Sequence, residues 1–311
     1  MRKQETLFFE RLTAIEFAPT IFAIRKLFRY TKIIKDKEES PPLKIGSQTH
    51  RSSALSASNE TTIVVRGRDL TQELIGRIGF TDHFWLLLTG TLPTSTQRRI
   101  LDATLVAIAE HGLVPSVQAA RMTLAAAPEA LQGAVAAGIL GCGSVVLGSS
   151  EAAGYFFAAI AARIGDGVAA KQAAQDVVLE YRAERRPIPG YGHPLHKGFD
   201  PRARRLFDVA REDGGAGLHV RIAQQVETLL HDLVGKPLAL NVSGAIPAVL
   251  LDAGYPLQAL KGVPILARTA GLIAHLLEEQ LRPIGFVLSH AGANAIDYDG
   301  EAPAAFRASH E

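Results

Sequence analysis

From residue 69 onward the chain reads as a succession of helical patterns, and this feature constrains its fold more than any other. Apolar residues recur three and four positions apart, as in Leu101, Leu105 and Ile108, and short turns containing Gly or Pro separate the segments. Only residues 61–65 show a convincing β pattern. The sequence therefore predicts an all-α protein. Its clearest helices are predicted over residues 201–212, 218–234, 244–253 and 263–280.

The composition fits a globular protein of one large domain or two. A chain of 311 residues with 47% hydrophobic content can bury a sizeable core. The net charge is only +2, and residues 1–50 hold 10 basic residues against 6 acidic ones, so no nucleic-acid partner is expected. The most apolar segment, residues 134–147, is shorter than the roughly 20 residues that span a bilayer. No transmembrane segment is expected.

Cys142 is the single cysteine, so no intramolecular disulfide can form and a cytoplasmic location is expected.

Residues 1–50 lack a signal-peptide pattern, because Glu5, Glu10 and Glu16 interrupt it. We interpret them as a peripheral or disordered extension. The alternatives are a basic amphipathic helix over residues 21–34, which would touch a membrane or a partner, and an incorrectly chosen start codon.

Residues 187–202, PIPGYGHPLHKGFDPR, form an irregular segment in which glycine and proline restrict the backbone around His193. Asp200 is a favoured N-cap and Pro201 suits the first helical position, so a helix is predicted to begin here. Arg202 then lies in the first turn, where the helix dipole already attracts anions. With His193 as a proton donor or acceptor, this is a candidate site for a carboxylate or phosphate. A solvated arginine beside a structural turn is the alternative.

Arg268 lies in an otherwise apolar helical pattern, residues 263–277. A guanidinium there either emerges on an exposed face or is buried with an anionic partner. His275 is seven residues further and shares its face. No acidic residue is near in the sequence, so a ligand carboxylate is a candidate partner for the fork-shaped guanidinium. The alternative is an arginine that only extends to solvent.

The residues Gly190-Tyr191-Gly192-His193, then Lys197 and then Asp200-Pro201-Arg202 resemble the signature of the citrate synthase family, which includes citryl-CoA lyases. Eight residues match over thirteen positions, although Leu195 stands where the family usually has isoleucine or valine. The resemblance covers roughly residues 60–290. It implies the citrate synthase-like fold with two helical domains, a large one over residues 51–148 plus 255–311 and a smaller inserted one over residues 149–254.

Three other segments resemble functional parts of the family. They are Arg268-Thr269, similar to its Ala-Arg-Thr helix, Arg282-Pro283, similar to its later Arg-Pro, and His111 with Pro115-Ser116, similar to its substrate-binding histidine loop. By itself, His111 is predicted at the end of a helix that Gly112 closes, where a histidine often has only a favourable contact with the helix dipole.

The resemblance also implies roles for these residues. His193 is expected to bond the carbonyl or hydroxyl oxygen of the substrate, and His111 to bind substrate. Arg202, Arg268 and Arg282 are expected to bind its carboxylates, with Arg282 supplied by the partner subunit of a homodimer. No metal and no cofactor are expected, because coenzyme A enters only as part of the substrate.

Two acid–base positions of a citrate synthase are expected to be replaced. Residues 146–151, VLGSSE, correspond to the family's His-Gly-Gly-Ala-Asn-Glu, so Val146 stands where a catalytic histidine is usual. Residues 241–243, Asn-Val-Ser, correspond to Asn-Val-Asp, so Ser243 stands at the position of the general base. A serine cannot replace that carboxylate without an activating neighbour.

Other groups are candidates for the missing roles, and the sequence does not rank them. The carboxylates are Glu151, Asp252 and Glu278. Residues 289–294, SHAGAN, look like the lost histidine motif but lie at the wrong end of the chain, so we interpret them as a coincidence.

The sequence is more similar to citryl-CoA lyase-like members in residues 66–70, 86–93 and 278–283. We therefore predict an acyl-CoA carbon–carbon lyase or acyltransferase of tricarboxylic acid metabolism, acting on oxaloacetate and acetyl-CoA or another acyl-CoA. The alternative is a catalytically impaired member that binds dicarboxylates or CoA and has a regulatory role. A helical scaffold without ligand is disfavoured, because arginines occupy apolar and helix-start positions. The acyl chain and the direction of the reaction stay open.

Overall fold

The computed structural model describes residues 52–143, 148–192, 199–235, 238–301 and 303. The α-helices in this part of the chain are α1 (Phe80–Thr89), α2 (Ser95–Ala109), α3 (Pro115–Ala126), α4 (Leu131–Leu140), α5 (Gly148–Gly165), α6 (Ala170–Ala183), α7 (Pro201–Glu212), α8 (Leu218–Val234), α9 (Val242–Asp252), α10 (Gly262–Leu281) and α11 (Gly285–Asn294). A π-helical turn (Leu70–Leu74) and a 3₁₀ turn (Leu257–Ala259) complete the helical elements. The predicted all-α class is confirmed.

Three short antiparallel strands precede the helices: β1 (Ser56–Ser58), β2 (Ile63–Val65) and β3 (Arg68–Asp69). The turn between β2 and β3 consists of Arg66 and Gly67, with φ angles of 48° and 79°. Two positive φ angles are what a type I′ hairpin turn requires. The Nε of Arg66 donates to the carbonyl oxygen of Leu87 at 2.8 Å, which ties the hairpin to α1. The β pattern predicted at residues 61–65 is confirmed, and two neighbouring strands accompany it.

Local sequence signals account for several helix boundaries. Pro201 is the first residue of α7, and the side chain of Asp200 caps that helix by accepting the amide of Arg202 at 3.0 Å. Thr94 and Gln97 form a capping box at the start of α2. The bounds of α7 and α8 agree with the prediction, and those of α9 and α10 lie within two residues of it.

The core is organised around α9. Every residue from Gly244 to Leu251 is buried, because α9 packs against α2, α5, α7 and α8. A helix with neighbours on all sides needs apolar residues all around it, as the sequence AIPAVLL provides. A smaller apolar cluster joins α3, α4 and α10 through Val117, Leu124, Ala134, Leu272 and Leu276. The division into two domains at residues 149–254 stays a prediction.

Residues Leu257–Leu281, which include α10, are long and apolar enough to cross a membrane by length and composition alone. A core helix of a globular protein has the same properties. In this structure α10 packs against α2, α3 and α4. Gly271 allows the closest approach, since a Cβ atom at this position would lie 2.0 Å from the carbonyl oxygen of Ala109.

Candidate active site

The backbone that leads into residue 193 is hydrogen-bonded to the start of α9. The amide of Gly192 donates to the carbonyl oxygen of Ala239 at 2.8 Å, and the amide of Asn241 donates to that of Gly190 at 3.0 Å. The Nδ2 atom of Asn241 also donates to the carbonyl oxygen of Gly192 at 2.6 Å. Residues 190–192 are therefore held against the segment that carries Ser243.

Two glycines and one tyrosine make this arrangement possible. Gly190 has a φ of 87°, and a Cβ atom on it would lie 2.7 Å from the Cα of Gly244. A Cβ on Gly244 would in turn lie 2.7 Å from the carbonyl oxygen of Gly190, so neither position accepts a side chain without movement. The next residue, Tyr191, is buried, and its hydroxyl donates to the carbonyl oxygen of Ala223 at 2.8 Å. Burial raises the pKa of Tyr191 well above its ordinary value, so this residue is an anchor rather than a proton donor.

Asp200 connects the first turns of α7 and α9. Its carboxylate is 1% exposed and accepts the amides of Arg202 and Val242, each at 3.0 Å. It also binds the Arg202 guanidinium, with distances of 3.1 Å from Nε to Oδ1 and 2.9 Å from Nη2 to Oδ2. Burial alone would raise the pKa of Asp200, but these bonds outweigh it and hold the pKa below its ordinary value. The carboxylate is therefore ionised at neutral pH.

The pairing with Asp200 leaves only part of the Arg202 guanidinium available to a carboxylate or phosphate ligand. One edge of its guanidinium already has an acidic partner two residues earlier, a pairing that was not predicted from the sequence. The Nη1 atom on the other side makes no hydrogen bond to the residues that the structure describes. Its side chain is 24% exposed, so that side can still meet a ligand.

Ser243 is the second residue of α9 and is half-buried. The side chain of Asn241 caps this helix by accepting the amide of Gly244 at 3.2 Å. The structure thus brings three features to one helix start: the backbone before residue 193, the Asp200–Arg202 pair and Ser243. They come from separate parts of the sequence.

Arg268 on α10 is the second cationic part of the site. Its Nε atom is buried and has no hydrogen-bond partner within the described part of the chain. Burial lowers the pKa of Arg268, and the positive charge of Arg202 lowers it further. Interactions with Cys142 and Glu110 raise it, but the net result is a pKa below the ordinary value. The charge of Arg202 thus acts on Arg268 across the space between α7 and α10. A buried N–H group without a partner is costly, and a ligand oxygen would satisfy it.

Glu110 links α10 to the loop that carries His111. Its Oε2 and Oε1 accept the amide of Gly112 at 2.7 and 2.9 Å, and Oε1 lies 2.7 Å from the Nε2 of His275. Burial would raise the pKa of Glu110, but the bonds from Gly112 and His275 outweigh it, and the pKa lies below its ordinary value. The face of α10 that holds Arg268 therefore does have an acidic neighbour, from a part of the sequence more than 150 residues away.

His111 is placed differently from the sequence expectation. Helix α2 ends at Ala109, with Glu110 as an extended C-cap, and Gly112 follows with a φ of 70°. His111 therefore does not end a helix that Gly112 closes. It is exposed in the loop that Glu110 attaches to α10.

Arg282 is exposed at the C-cap of α10. It follows Arg268 by fourteen positions, which corresponds to about 21 Å along a helix. The structure therefore does not bring these two arginines together within one chain.

The other candidate carboxylates differ in their surroundings. Asp252 caps α8, because its carboxylate accepts three backbone amides, those of Gly217, His219 and Val220. Glu278 binds the Nη1 of Arg121 at 2.8 Å. Both have structural partners, so they are poor candidates for a free base. Glu151 lies half-buried in the first turn of α5.

His193, Val146 and Lys197 lie outside the described residues, as does the extension over residues 1–50. The roles assigned to them stay predictions. Within the described residues, no group of three or more His, Cys, Asp or Glu side chains could hold a metal ion.

A cavity of about 540 Å³ lies between α7 and α8. Its lining includes Phe199, Asp200, Arg204, Gln224 and Glu227. Asp200 is the one candidate-site residue in that lining, and Arg202 and Arg268 are not part of it. The two arginines therefore lie outside the lining of this cavity.

A family model, the C-terminal domain of citrate synthase, matches residues 79–284. That match covers more than half of the chain, and the protein belongs to the citrate synthase family, as its signature had indicated. The structure is similar to citryl-CoA lyase from Hydrogenobacter thermophilus, with a TM-score of 0.72 and 33% identity over 82% of this chain and 97% of that one. It also shares its fold with ATP citrate lyase from Methanothrix soehngenii, solved with citrate and coenzyme A, at a TM-score of 0.67 and 22% identity over 94% of this chain and 46% of that one.

Curated relatives include the citrate synthase of Deinococcus radiodurans, 28% identical over 201 residues, which are 63% of this chain and 51% of that protein. The citrate/2-methylcitrate synthase of Bacillus subtilis is 28% identical over 209 residues, or 65% and 53% of the two chains. The chain thus spans about half the length of the curated relatives that it matches. The predicted citrate synthase-like fold is confirmed.

Proposed function

We propose that this protein is an enzyme that makes or cleaves the carbon–carbon bond between oxaloacetate and acetyl-CoA or another acyl-CoA, with citryl-CoA cleavage as its leading activity. The observation that carries the proposal is the buried, unpartnered Nε of Arg268. Guanidinium groups bind carboxylates through two parallel hydrogen bonds, and such bonds are stronger than neutral ones. The 33% identity to a citryl-CoA lyase favours a substrate of this class.

A second argument comes from the charges around Arg268. Arg202 lies close enough to lower its pKa, so two guanidinium groups repel each other in a partly buried place. A bound di- or tricarboxylate would remove this repulsion and satisfy the unpartnered Nε. The site therefore fits a small polyanion better than a neutral ligand.

In the cleavage direction, a base takes the proton of the tertiary hydroxyl of citryl-CoA while the adjacent carbon–carbon bond breaks. The hydroxyl carbon becomes the ketone of oxaloacetate, and the electron pair of the broken bond leaves as the enolate of the acetyl thioester. The enolate then takes a proton and becomes acetyl-CoA. We assign the base role to His193, because it directly follows the segment that Asn241 holds at the start of α9.

The arginines do not transfer protons in this mechanism. Arg202 and Arg268 bind the carboxylates that flank the reacting carbon, which orients the hydroxyl and balances charge as the ketone forms. Their guanidinium groups stay protonated throughout.

The proposed replacements at Val146 and Ser243 affect both directions, because protonation of the enolate in cleavage is the reverse of proton removal from acetyl-CoA in synthesis. Synthesis requires removal of a proton from the acetyl group of acetyl-CoA, for which a serine is a poor base. Cleavage runs the same step in reverse, and water or Glu151 is the proposed acid that protonates the leaving enolate. The preference for citryl-CoA cleavage therefore rests on the 33% identity to a citryl-CoA lyase.

We also propose a homodimer in which Arg282 of each subunit completes the site of the other. Large apolar side chains at the end of α10 and in α11 are 51–72% exposed: Ile273, Leu277, Leu281, Phe286 and Val287. An apolar face of this kind is typical of a protein–protein contact. The separation of Arg282 from Arg268 in one chain also favours this arrangement. The cleft between two helical domains, the absence of a cofactor and a cytoplasmic location are parts of the same proposal.

The direct test uses the purified full chain with citryl-CoA, and follows oxaloacetate through its NADH-linked reduction to malate. Thiol release from acetyl-CoA with oxaloacetate tests synthesis. We expect cleavage by the wild type, and a loss of about 100-fold or more in kcat/KM for Arg268→Leu. The matched control is Arg163→Leu, which removes an exposed pair with Glu180. Folded protein without either activity would contradict the proposal.

The second candidate is a regulatory member that binds carboxylates or CoA without turnover. Ser243, a poor base at the start of α9, is the observation that favours it. Calorimetric titration with oxaloacetate, citrate and CoA distinguishes the two functions. Saturable binding that requires Arg268, together with turnover at background, would identify the regulatory protein.

A further inference from the structure

Arg121 is a buried cation between α3, the end of α10 and the start of α11. Its side chain is 3% exposed, and its Nε and Nη1 donate to Glu279 and Glu278 at 2.6 and 2.8 Å. Its Nη2 donates to the carbonyl oxygen of Arg282 at 3.1 Å. One guanidinium therefore contacts three residues at the end of α10.

Glu279 extends this network to the start of α11. Its carboxylate accepts the amides of Ile284 at 3.0 Å and Gly285 at 2.7 Å. Amides at a helix start have no acceptor within the helix, so Glu279 supplies one. Burial would raise the pKa of Glu279, but the bonds from Arg121 and these amides outweigh it, and its pKa lies below the ordinary value. The pair is thus ionic at neutral pH.

The turn between α10 and α11 is fixed on both sides as a result. Arg121 holds the carbonyl oxygen before Pro283, and Glu279 holds the amides after it. Packing adds to this constraint, because a Cβ atom on Gly285 would lie 2.5 Å from the Cβ of Ala125 and 2.8 Å from the carbonyl oxygen of Arg121. Helix α11 therefore begins directly against α3.

We propose that Arg121 is a positioning residue for Arg282: by holding the backbone at residues 282–285, it sets the direction in which the exposed Arg282 side chain leaves the subunit. This inference rests on the proposed function, in which Arg282 binds a substrate carboxylate of the partner subunit. The physical reason is geometric. A misplacement of about 1 Å in a substrate-binding group can lower a rate by about 100-fold, and a long side chain on a loose helix end would adopt many directions.

A purely structural role for Arg121 makes a different prediction. Buried ion pairs contribute little net stability compared with apolar residues of similar size, so stability alone is a weak reason for this network. Its contacts converge on the backbone on both sides of Pro283, next to a residue of the candidate site. That convergence favours positioning.

The test variant is Arg121→Lys. Lysine keeps the charge, but its compact ammonium group cannot reproduce the fork geometry that reaches two carboxylates and a carbonyl oxygen. The matched control is Arg163→Lys on α5. It alters the two hydrogen bonds, each 2.7 Å long, that Arg163 donates to the carboxylate of Glu180 on α6. For Arg121→Lys we expect the KM for citryl-CoA to rise about tenfold with kcat changed less than about threefold. The control should stay within about twofold of the wild type in both constants. An unchanged KM in folded Arg121→Lys overturns the proposal.

Mixed dimers show whether the effect passes through Arg282. Subunits that carry Arg202→Leu are combined with subunits that carry Arg121→Lys. In one site of the hybrid, the second subunit supplies the native Arg202. The first subunit supplies Arg282 to that site, and its own native Arg121 positions this Arg282. We expect this site to have the KM of the wild type. A KM that stays raised means that Arg121 acts inside its own subunit, which overturns the proposal.

Hydrogen exchange provides a readout that does not depend on activity. The amides of Ile284 and Gly285 should exchange faster in Arg121→Lys than in the wild type or the control, and equal exchange overturns the positioning role. If Arg121→Lys does not fold, Glu278→Gln, at a half-exposed position, replaces it and should raise KM less but in the same direction. If the wild type shows neither turnover nor citrate binding, the proposed function itself is wrong. The positioning role of Arg121 is then wrong as well, because it depends on that function.

Discussion

The carboxylate of Asp200 accepts the backbone amide of Val242 at 3.0 Å, although 42 positions separate the two residues. The same carboxylate holds Arg202, so one acidic group determines how the first turn of α7 lies against the first turn of α9. Ser243 and the backbone before residue 193 lie at that junction. The geometry of the candidate site therefore depends on a residue that need not touch the substrate.

We expect Asp200→Asn to destabilise the protein by about 1–3 kcal/mol at pH 7, because an amide cannot accept all of these bonds. The folded pKa of Asp200 lies below its ordinary value of 3.8, so its contribution is present above about pH 4 and is lost as the pH falls through the folded pKa. Urea unfolding of wild type and variant at pH 7 and pH 3 should thus show a smaller difference at pH 3. Asp166→Asn, at an exposed position, is the control. An equal difference at both pH values would contradict an ionised Asp200.

Arg268→Met should separate stability from binding. The buried Nε without a partner costs free energy in the unliganded protein, so we expect the variant to melt at an equal or higher temperature. Citrate or oxaloacetate should raise the Tm of the wild type and leave that of the variant unchanged. Thermal melting with and without ligand measures both effects. A ligand-induced shift that persists in the variant would remove Arg268 from the site.

Gly271→Ala should be among the more destabilising single substitutions in α10. Its new methyl group would lie 2.0 Å from the carbonyl oxygen of Ala109, so α10 or the end of α2 must move. We expect a loss of at least about 2 kcal/mol in the free energy of unfolding. Gly292→Ala is the matched control, because a Cβ there meets nothing within 4 Å; it should stabilise α11 by about 0.5–1 kcal/mol. Chemical denaturation measures both, and similar effects at the two positions would contradict the close contact.

Glu110→Gln tests the connection between the His111 loop and α10. Glutamine keeps an acceptor for the amide of Gly112 but loses the ionised partner of His275. We expect the KM for citryl-CoA to rise about three- to tenfold, since a charge-assisted bond of about 1.5 kcal/mol is weakened. Glu129→Gln, at an exposed position, should have no effect. Steady-state kinetics that do not distinguish the two variants would show that this loop plays no part in binding.

Ser243→Asp should restore a base for synthesis. If Ser243 occupies the position of the family aspartate, thiol release from acetyl-CoA with oxaloacetate should increase at least about 100-fold over the wild type. Ser243→Ala should leave citryl-CoA cleavage within about threefold of the wild type, because the serine already supplies no acid or base for the proton transfer. An Asp variant that folds and shows no increase would contradict the assignment of residues 241–243.

The sequence allowed much of the fold to be predicted, because its evidence is local. A cap such as Asp200, followed by Pro201, acts within one turn of chain, and so the bounds of α7 were predicted to the residue. The family signature likewise occupies thirteen consecutive positions.

The candidate site was predicted less completely. Arg121 did carry a signal, since it is a charged residue on the face of α3 that Val117 and Leu124 bury, but its partner could not be identified from that pattern. The acidic partners of Arg202 and His275 also escaped prediction. The spacing of residues in a helical segment shows which side chains share one face of the helix. It does not show which other element packs against that face.

The amino-acid sequence by itself determined the helical class, the caps of α7 and the membership in a family, because each of these depends on neighbouring residues or on a short motif. Only the tertiary structure decided that Glu110 meets His275, that Arg121 meets Glu279 and that Asp200 meets Val242. Their sequence separations are 165, 158 and 42 positions. Such pairs form only after the helices pack, because the free energy of a buried ion pair or hydrogen bond depends on the exact approach of two surfaces that the chain brings together from afar.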